Sequence, residues 1–540
     1  MRLILPILFV SLSLPFCVAA EPPAETHPIG GVSILQFAPS PDTVDDWSPI
    51  LVRALEEIPE GGVIYFPGGR RYSFRASVEL NRSLSLRFAP SAVLIGEEIS
   101  ALFSLRDGKW FTFEGVGGRA TLEVTGKGTV IDLKNLSPSA APDLTIRHLS
   151  FRGTSNVTGN AASKYVEEAG SLGRVDIQDC AFHASQAGVA FNQGRIKSLR
   201  LTNCTFSGQT RKAVFLACPI SQDANVSANT VLEAGITAIQ IGGGKAHAID
   251  EGALDHVHSA IVHDNQILGG GTNAPEDVSY ISGILVYGTN VSIQGNIVRD
   301  FHRGEPVEPG KPGHHFAMPD GTWHRGPWVY PDGKPRRRLA GSAIYAKAQF
   351  GTIANNICTN SGWRAVIEVK TGGRKPYFLV TGNMIDGSSL AIDESFGFET
   401  DTSKALWSNN LVVNMPSRAF KSTAGLGTNS FLNNVIVDSK VGLTLHNAMT
   451  NSDRTLVSGN RFLNVETPVA YSSSGGLAVD VTPPPPVFVP PGGSLPPADE
   501  SQRGRFAIVA GERDRLLVVK KTERGFEWVE LRDVQGGETP

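Results

Sequence analysis

Cysteine is scarce in this chain. Five occur in 540 residues. Cys17 falls in the N-terminal apolar run, and the other four (Cys180, Cys204, Cys218 and Cys358) show no CxxC spacing, which argues against a zinc ribbon or finger. A chain this long needs no disulfides to hold a core, so these four are expected as buried thiols. An excess of one charge is also missing: 49 Lys and Arg face 52 Asp and Glu. Nothing there suggests a nucleic-acid binder. Beyond residue 20 no run approaches the roughly 20 apolar residues of a membrane span. What remains, 41% hydrophobic and 19% charged, is the composition of a soluble globular protein with one extended core or two domains.

The first twenty residues, MRLILPILFVSLSLPFCVAA, carry one Arg, an apolar run and then Val18-Ala19-Ala20 before Glu21. That is the pattern of a cleaved export signal, and it predicts a secreted or periplasmic protein. Phe16 before Cys17 fits a lipoprotein site poorly.

A short motif then recurs: DIQDCAF, RLTNCTF, NVSANTV, IVHDNQI, SIQGNIV, TIANNIC, LVTGNMI, LWSNNLV, FLNNVIV and LVSGNRF. Its polar position falls at Cys180, Cys204, Asn229, Asn265, Asn296, Asn356, Asn383, Asn410, Asn434 and Asn460, at intervals of 24, 25, 36, 31, 60, 27, 27, 24 and 26. Each unit adds a second apolar run such as GILV or AVIEV. Strands this short cannot bury a face alone, but stacked copies can. Stacking parallel strands about 4.8 Å apart turns the Asn positions into a ladder within a tight turn. Cys180 and Cys204 then sit on adjacent coils within disulfide reach, and both the bridge and the thiols remain open readings.

The laddered coils resemble a right-handed parallel β-helix of the pectate-lyase-like superfamily. DTVDDWSPILVRALEEIPEGGVIYFPGGRRYSF (42–74) resembles the opening of its pectate-lyase-type members. Here Ser48 is expected to cap a helix with Pro49 in its first turn and Leu51, Ala54, Leu55 and Ile58 on one stripe, covering the first coils. The expected organisation is a cap and first coils over 21–110, repeats over 111–480 and a Pro-rich spacer over 481–502. A small antiparallel sheet, as a cap or a separate module, is expected over 503–540.

Aligning the second strands with Ile239, Ile284, Ile344, Ile367, Leu390 and Leu443 pointing inward sends Gln240, Tyr345, Lys347, Glu368, Lys370, Asp393 and His446 outward. Lys347 and Lys370 become neighbours beside Tyr345 and Glu368. Oversized intervals place insertions at 243–258, 270–281 and 302–340 around the preceding coils, and such loops gather on binding faces. The largest holds His315, Trp323 and His324 among several Arg residues. Rings of this kind cover sugar faces, while Arg and His grip carboxylates.

These residues suit β-elimination on an acidic polysaccharide, with Lys347 or Lys370 as base and Tyr345 as proton donor. Arg364 or His324 would sit on the uronate carboxylate. Glu368 and Asp393 offer a Ca²⁺ too few ligands to define a site. AFKSTAGLGTNSFLNNVIVDSKVGLTLHN (419–447) resembles a segment of the chondroitinase B and alginate lyase family, which implies Lys421 as a second candidate base. Its catalytic Arg position is taken here by His446. Two other readings stand beside the lyase: a glycoside hydrolase using carboxylates, for instance Asp250, Glu251, Asp255 and Asp264, and a non-catalytic glycan-binding β-helix. The His residues of that same loop, His247, His256, His258 and His263, read as scattered surface positions. The expected oligomeric state is a monomer.

Overall fold

The computed structural model describes residues 31–133, 136, 141–159, 171–191, 194–243, 257–271, 280–301, four two-residue strands between 316 and 336, 340–362, 365–371, 377–388, 396–400, 404–422, 429–445, 456–471, 480–481, 487–498, 506–509, 515–522 and 525–530. The N-terminal leader lies outside them.

From Val32–Ser33 to Asp480–Val481 the main sheet pairs strand on strand in parallel. Each coil supplies three strands. Arg195–Thr202, Thr205–Ser207 and Lys212–Leu216 lie directly under Ile220–Ser227, Thr230–Ala234 and Thr237–Ile241 of the next coil. The result is a right-handed parallel β-helix with three faces, named here first, second and third in that order. The interior is one continuous apolar core, from Ile34 to Val457. Rings stack along it, with Phe151, Phe182 and Phe206 spaced 4.9 and 4.8 Å apart.

Between the first and second faces only two residues turn the chain. The residue before each ladder position is left-handed, including Asp179, Asn203, Ala228, Asp264, Asn355, Asn409 and Asn433 near φ +55°. Gly, Asn and Asp tolerate this conformation best, which explains the DC, NC, DN, NN and GN pairs of the repeat. The second residue closes the ladder. Asn265 Nδ2 donates to Asn296 Oδ1 at 2.9 Å and to the Val226 carbonyl at 2.9 Å. The Asn296 carboxamide oxygen also accepts from the Asn265 backbone N–H at 3.0 Å. The pattern repeats through Asn356, Asn383, Asn410, Asn434 and Asn460. A buried amide is thereby satisfied on both sides.

Cys180 and Cys204 take the same positions as thiols and form no bridge. Their Sγ atoms point to the carbonyls of Gln178 at 3.1 Å and Thr202 at 3.3 Å.

The helix Ser48–Glu57 buries Leu51, Ala54 and Leu55, and Ile58 just after it, in the core of the first coils. Its start differs from expectation, because the Asp46 carboxylate accepts the Ser48 N–H at 2.9 Å while the Ser48 hydroxyl donates to Asp46 and to the Ala76 carbonyl. Asp46 does the capping, since Ser48 is drawn inward. Later in the chain Phe506–Val509, Arg515–Thr522 and Gly525–Glu530 form an antiparallel sheet, and Val487–Val489 from the Pro-rich stretch joins it in parallel.

Candidate functional site

The third face carries most of the candidate site residues that the structure describes. Its inward column runs Ile239, Ile284, Ile344, Ile367, Phe398, Phe420 and Leu443. Phe398, not Leu390, therefore continues the row. Stacking explains the choice, for the Phe398 and Phe420 rings lie 4.7 Å apart and Trp407 meets Phe398 edge-on at 5.5 Å. Asp393 loses its expected place, and it lies outside the described residues.

With that shift the next column reads Phe215, Gln240, Leu285, Tyr345, Glu368, Glu399, Lys421 and Thr444. The column two residues further holds Tyr287, Lys347 and Lys370. The register thus brings Tyr345, Lys347, Glu368 and Lys370 together and adds Glu399, Lys421 and Tyr287 to them. Glu399 is hidden in the sequence because the alternation in FGFET competes with that in LAIDE inside one coil. The Phe398-x-Phe396 spacing beside Phe420 was the signal available.

Glu368 was expected on a solvated surface, yet it is 2% exposed, and Glu399 is 0% exposed. Neighbours on adjacent coils enclose both. Glu368 Oε1 lies 3.0 Å from Lys370 Nζ, and its Oε2 accepts from the Ser342 hydroxyl at 3.0 Å. Glu399 Oε1 lies 3.6 Å from Lys421 Nζ, which also sits 4.1 Å over the Phe396 ring. Buried carboxylates of this kind need such partners. Lys370 thus has a carboxylate against it as well as the neighbouring lysine. Lys347 is half-buried, with no carboxylate in ion-pair range among the described residues. The Tyr287 and Tyr345 rings are 5.6 Å apart. Burial raises the Tyr287 phenol above its usual range and the Glu368 charge adds to this, while a hydrogen bond with Tyr345 opposes it. Gly242 and Gly243 hold positive φ there, where a Cβ on Gly242 would strike the Tyr287 backbone and Cβ.

Gln240, expected as a substrate contact, is 8% exposed and donates to the Gly242 carbonyl at 3.1 Å. Its amide closes its own turn. Arg364, His446 and His315 lie outside the described residues. Trp323–His324 pairs antiparallel with Phe316–Ala317, and its side chains lie outside the description. Of the carboxylate alternative, Asp250, Glu251 and Asp255 lie outside too, while Asp264 occupies a left-handed turn position and contacts His263 Nδ1 at 2.8 Å. Among the described residues no group of three or more His, Cys, Asp or Glu stands close enough to hold a metal, and none of their helices is long and apolar enough to cross a membrane.

Chain order ties the inserted segments to the third-face strands. Residues 244–256 leave the third-face strand Thr237–Ile241, while 272–279 and 302–339, the latter interrupted by the short strands, lead into the third-face parts of Tyr280–Gln294 and Ala340–Ala354. All three oversized intervals open at an edge of the face that carries the charges.

No protein-family model matches the chain, and no curated protein matches it. Among solved structures it is similar to tailspike protein 3 of bacteriophage CBA120, at 12% identity and TM-score 0.42, covering 93% of this chain and 68% of that one. It is also similar to the catalytic unit of a thermostable GH87 alpha-1,3-glucanase from Streptomyces thermodiastaticus, at 13% and 0.35, covering 84% and 71%. A family 28 exopolygalacturonase from Yersinia enterocolitica gives 11% and 0.29, covering 84% and 77%. Likeness this remote carries no argument about chemistry.

Proposed function

We propose that the protein is an exported enzyme that cleaves an acidic, uronate-containing polysaccharide at the third face, by β-elimination. One observation carries the reading: Tyr345 and Lys347 lie register-paired with Glu368 and Lys370 on a face whose strands adjoin the inserted segments in chain order. Elimination needs a base for the proton beside the carboxylate, a cation on that carboxylate and an acid for the leaving oxygen. Lys347 takes the proton, Lys370 above its buried Glu368 meets the carboxylate, and Tyr345 protonates the leaving oxygen. Lys421 on the Glu399 pair extends the positive floor along the chain. Incubation with pectate, alginate and glycosaminoglycans tests this through the ultraviolet absorbance of an unsaturated uronate product.

A second reading, glycoside hydrolysis, is favoured by the adjacency of Glu368 and Glu399 on successive coils, because hydrolases work with paired carboxylates. New reducing ends without the unsaturated chromophore would decide for it. Retained binding with neither product would indicate a glycan-binding protein.

A further inference from the structure

Among the described residues, Lys212 is a cation with no carboxylate partner. It lies on the third face with its Nζ 3.6 Å over the Phe215 ring. No carboxylate lies in ion-pair range of it among the described residues, and its sequence neighbour Arg211 carries the same charge. Burial, together with the Arg211 charge, lowers its ammonium from the usual range to about 8. A largely desolvated ammonium of this kind is costly to keep unless something anionic completes it. An aromatic face beneath supplies part of that compensation and a flat apolar surface as well.

The register links this pair to the proposed reaction centre. Phe215, Gln240, Leu285 and Tyr345 follow one another in a single column, so Lys212 and Phe215 precede Tyr345 by three coils, or about 14 Å. The row beside them, Lys212, Thr237, Ser282 and Ser342, leads from the cation to the hydroxyl that binds Glu368. A pyranose in an extended chain advances by about the length of one coil. A polysaccharide lying along the helix axis with its reacting bond at Tyr345 therefore presents another sugar to Phe215.

We infer that Lys212 and Phe215 form a remote uronate subsite, in which Phe215 carries the sugar face and Lys212 receives its carboxylate, so that the enzyme selects long acidic chains. The inference rests on the uronate reading above. Calorimetric titration with oligogalacturonates and oligomannuronates of defined length, from two to about eight sugars, tests it, because the register sets the reach of the subsite at roughly four units. Affinity is expected to rise about tenfold once the chain is long enough to reach from Tyr345 to Phe215. That step should disappear in Lys212→Met, shrink in Phe215→Leu and survive in Lys212→Arg, with unchanged unfolding midpoints showing that the variants are folded. A length step that persists in Lys212→Met, or its absence in the wild type while the short oligomers bind and are cleaved, overturns the subsite alone. No binding and no unsaturated product with any oligouronate overturns the uronate reading together with it.

Discussion

Glu368 and Glu399 occupy the same position on successive coils, and each is held by a different lysine, Lys370 at 3.0 Å within the coil and Lys421 at 3.6 Å from the next. Removing one lysine takes the ion-pair partner from a carboxylate that is 2% or 0% exposed. Lys421→Ala is expected to cost about 3 kcal/mol, the low end for a broken buried pair because Lys421 keeps some contact with water. The double variant Lys421→Ala/Glu399→Leu should recover part of that loss. Denaturant midpoints of the two variants provide the comparison, and equal losses would show that the Glu399 carboxylate without Lys421 carries no penalty.

Lys347→Ala and Tyr345→Phe are expected to lower turnover at least about 100-fold on whichever uronate polymer is cleaved, the scale of a lost proton-transfer group. Both side chains are half-buried and lie outside the inward column, so the fold should survive. Circular dichroism and the initial rate of chromophore formation together report this. Full activity in both variants would remove the reaction from this patch.

Stability should depend on Lys212 at alkaline pH. Its ammonium sits at about 8 in the folded chain against 10.5 when exposed, with Arg211 the charged neighbour contributing. The unfolded chain thus holds more protons between these values, so unfolding free energy rises with pH from about 8 to 10.5, by at most about 3 kcal/mol. Below pH 8 both states are protonated and the burial penalty is complete. Midpoints measured across that window should climb in the wild type and climb less in Lys212→Met.

Four thiols should be silent in the native protein. Cys180, Cys204, Cys218 and Cys358 are at most 1% exposed, and burial pushes Cys218 up to about 12 and Cys358 higher still. Thiolates, the reactive form, are accordingly rare. Alkylation is expected only in denaturant, and at all four sites without a reductant. Two sites missing from that titration would reveal a Cys180–Cys204 bridge.

The ladder makes a separate prediction. Asn296→Ala removes an amide that serves the Asn265 backbone, the Asn265 side chain and the Val262 carbonyl. Leaving buried groups unmade costs about 1–3 kcal/mol each, less what water recovers. The same change at Asn460, the last rung, should cost less, and a pair of melting curves compares them.

The coils were legible in the sequence because the left-handed turn restricts which residues can stand before the ladder. Glu368, Lys370, Tyr345 and Lys347 came together from two-residue alternation alone, since Ile344 and Ile367 anchor that register. The coil after them admits two alignments. Leu390 and Phe398 both lie in alternating apolar runs, and a spacing near 25 residues tolerates either when the connecting segment varies in length. Only ring-on-ring packing distinguishes them, and this depends on Phe420 in the next coil. Burial of Glu368 was likewise invisible, because alternation tells which way a side chain points but not how tightly its neighbours close over it.

The two-residue corner between the first and second faces has a consequence for how this molecule can change. That corner leaves no slack: an added residue would break the left-handed step and pull one amide out of a row that serves the coils above and below. The edges of the third face, by contrast, already absorb connections as different as those after Ile241 and Phe301. Heritable variation in length is therefore channelled to the edges of the third face, while the opposite corner acts as a fixed spine. Such a chain can acquire a new substrate by rewriting its loops and keep the same backbone count where it folds.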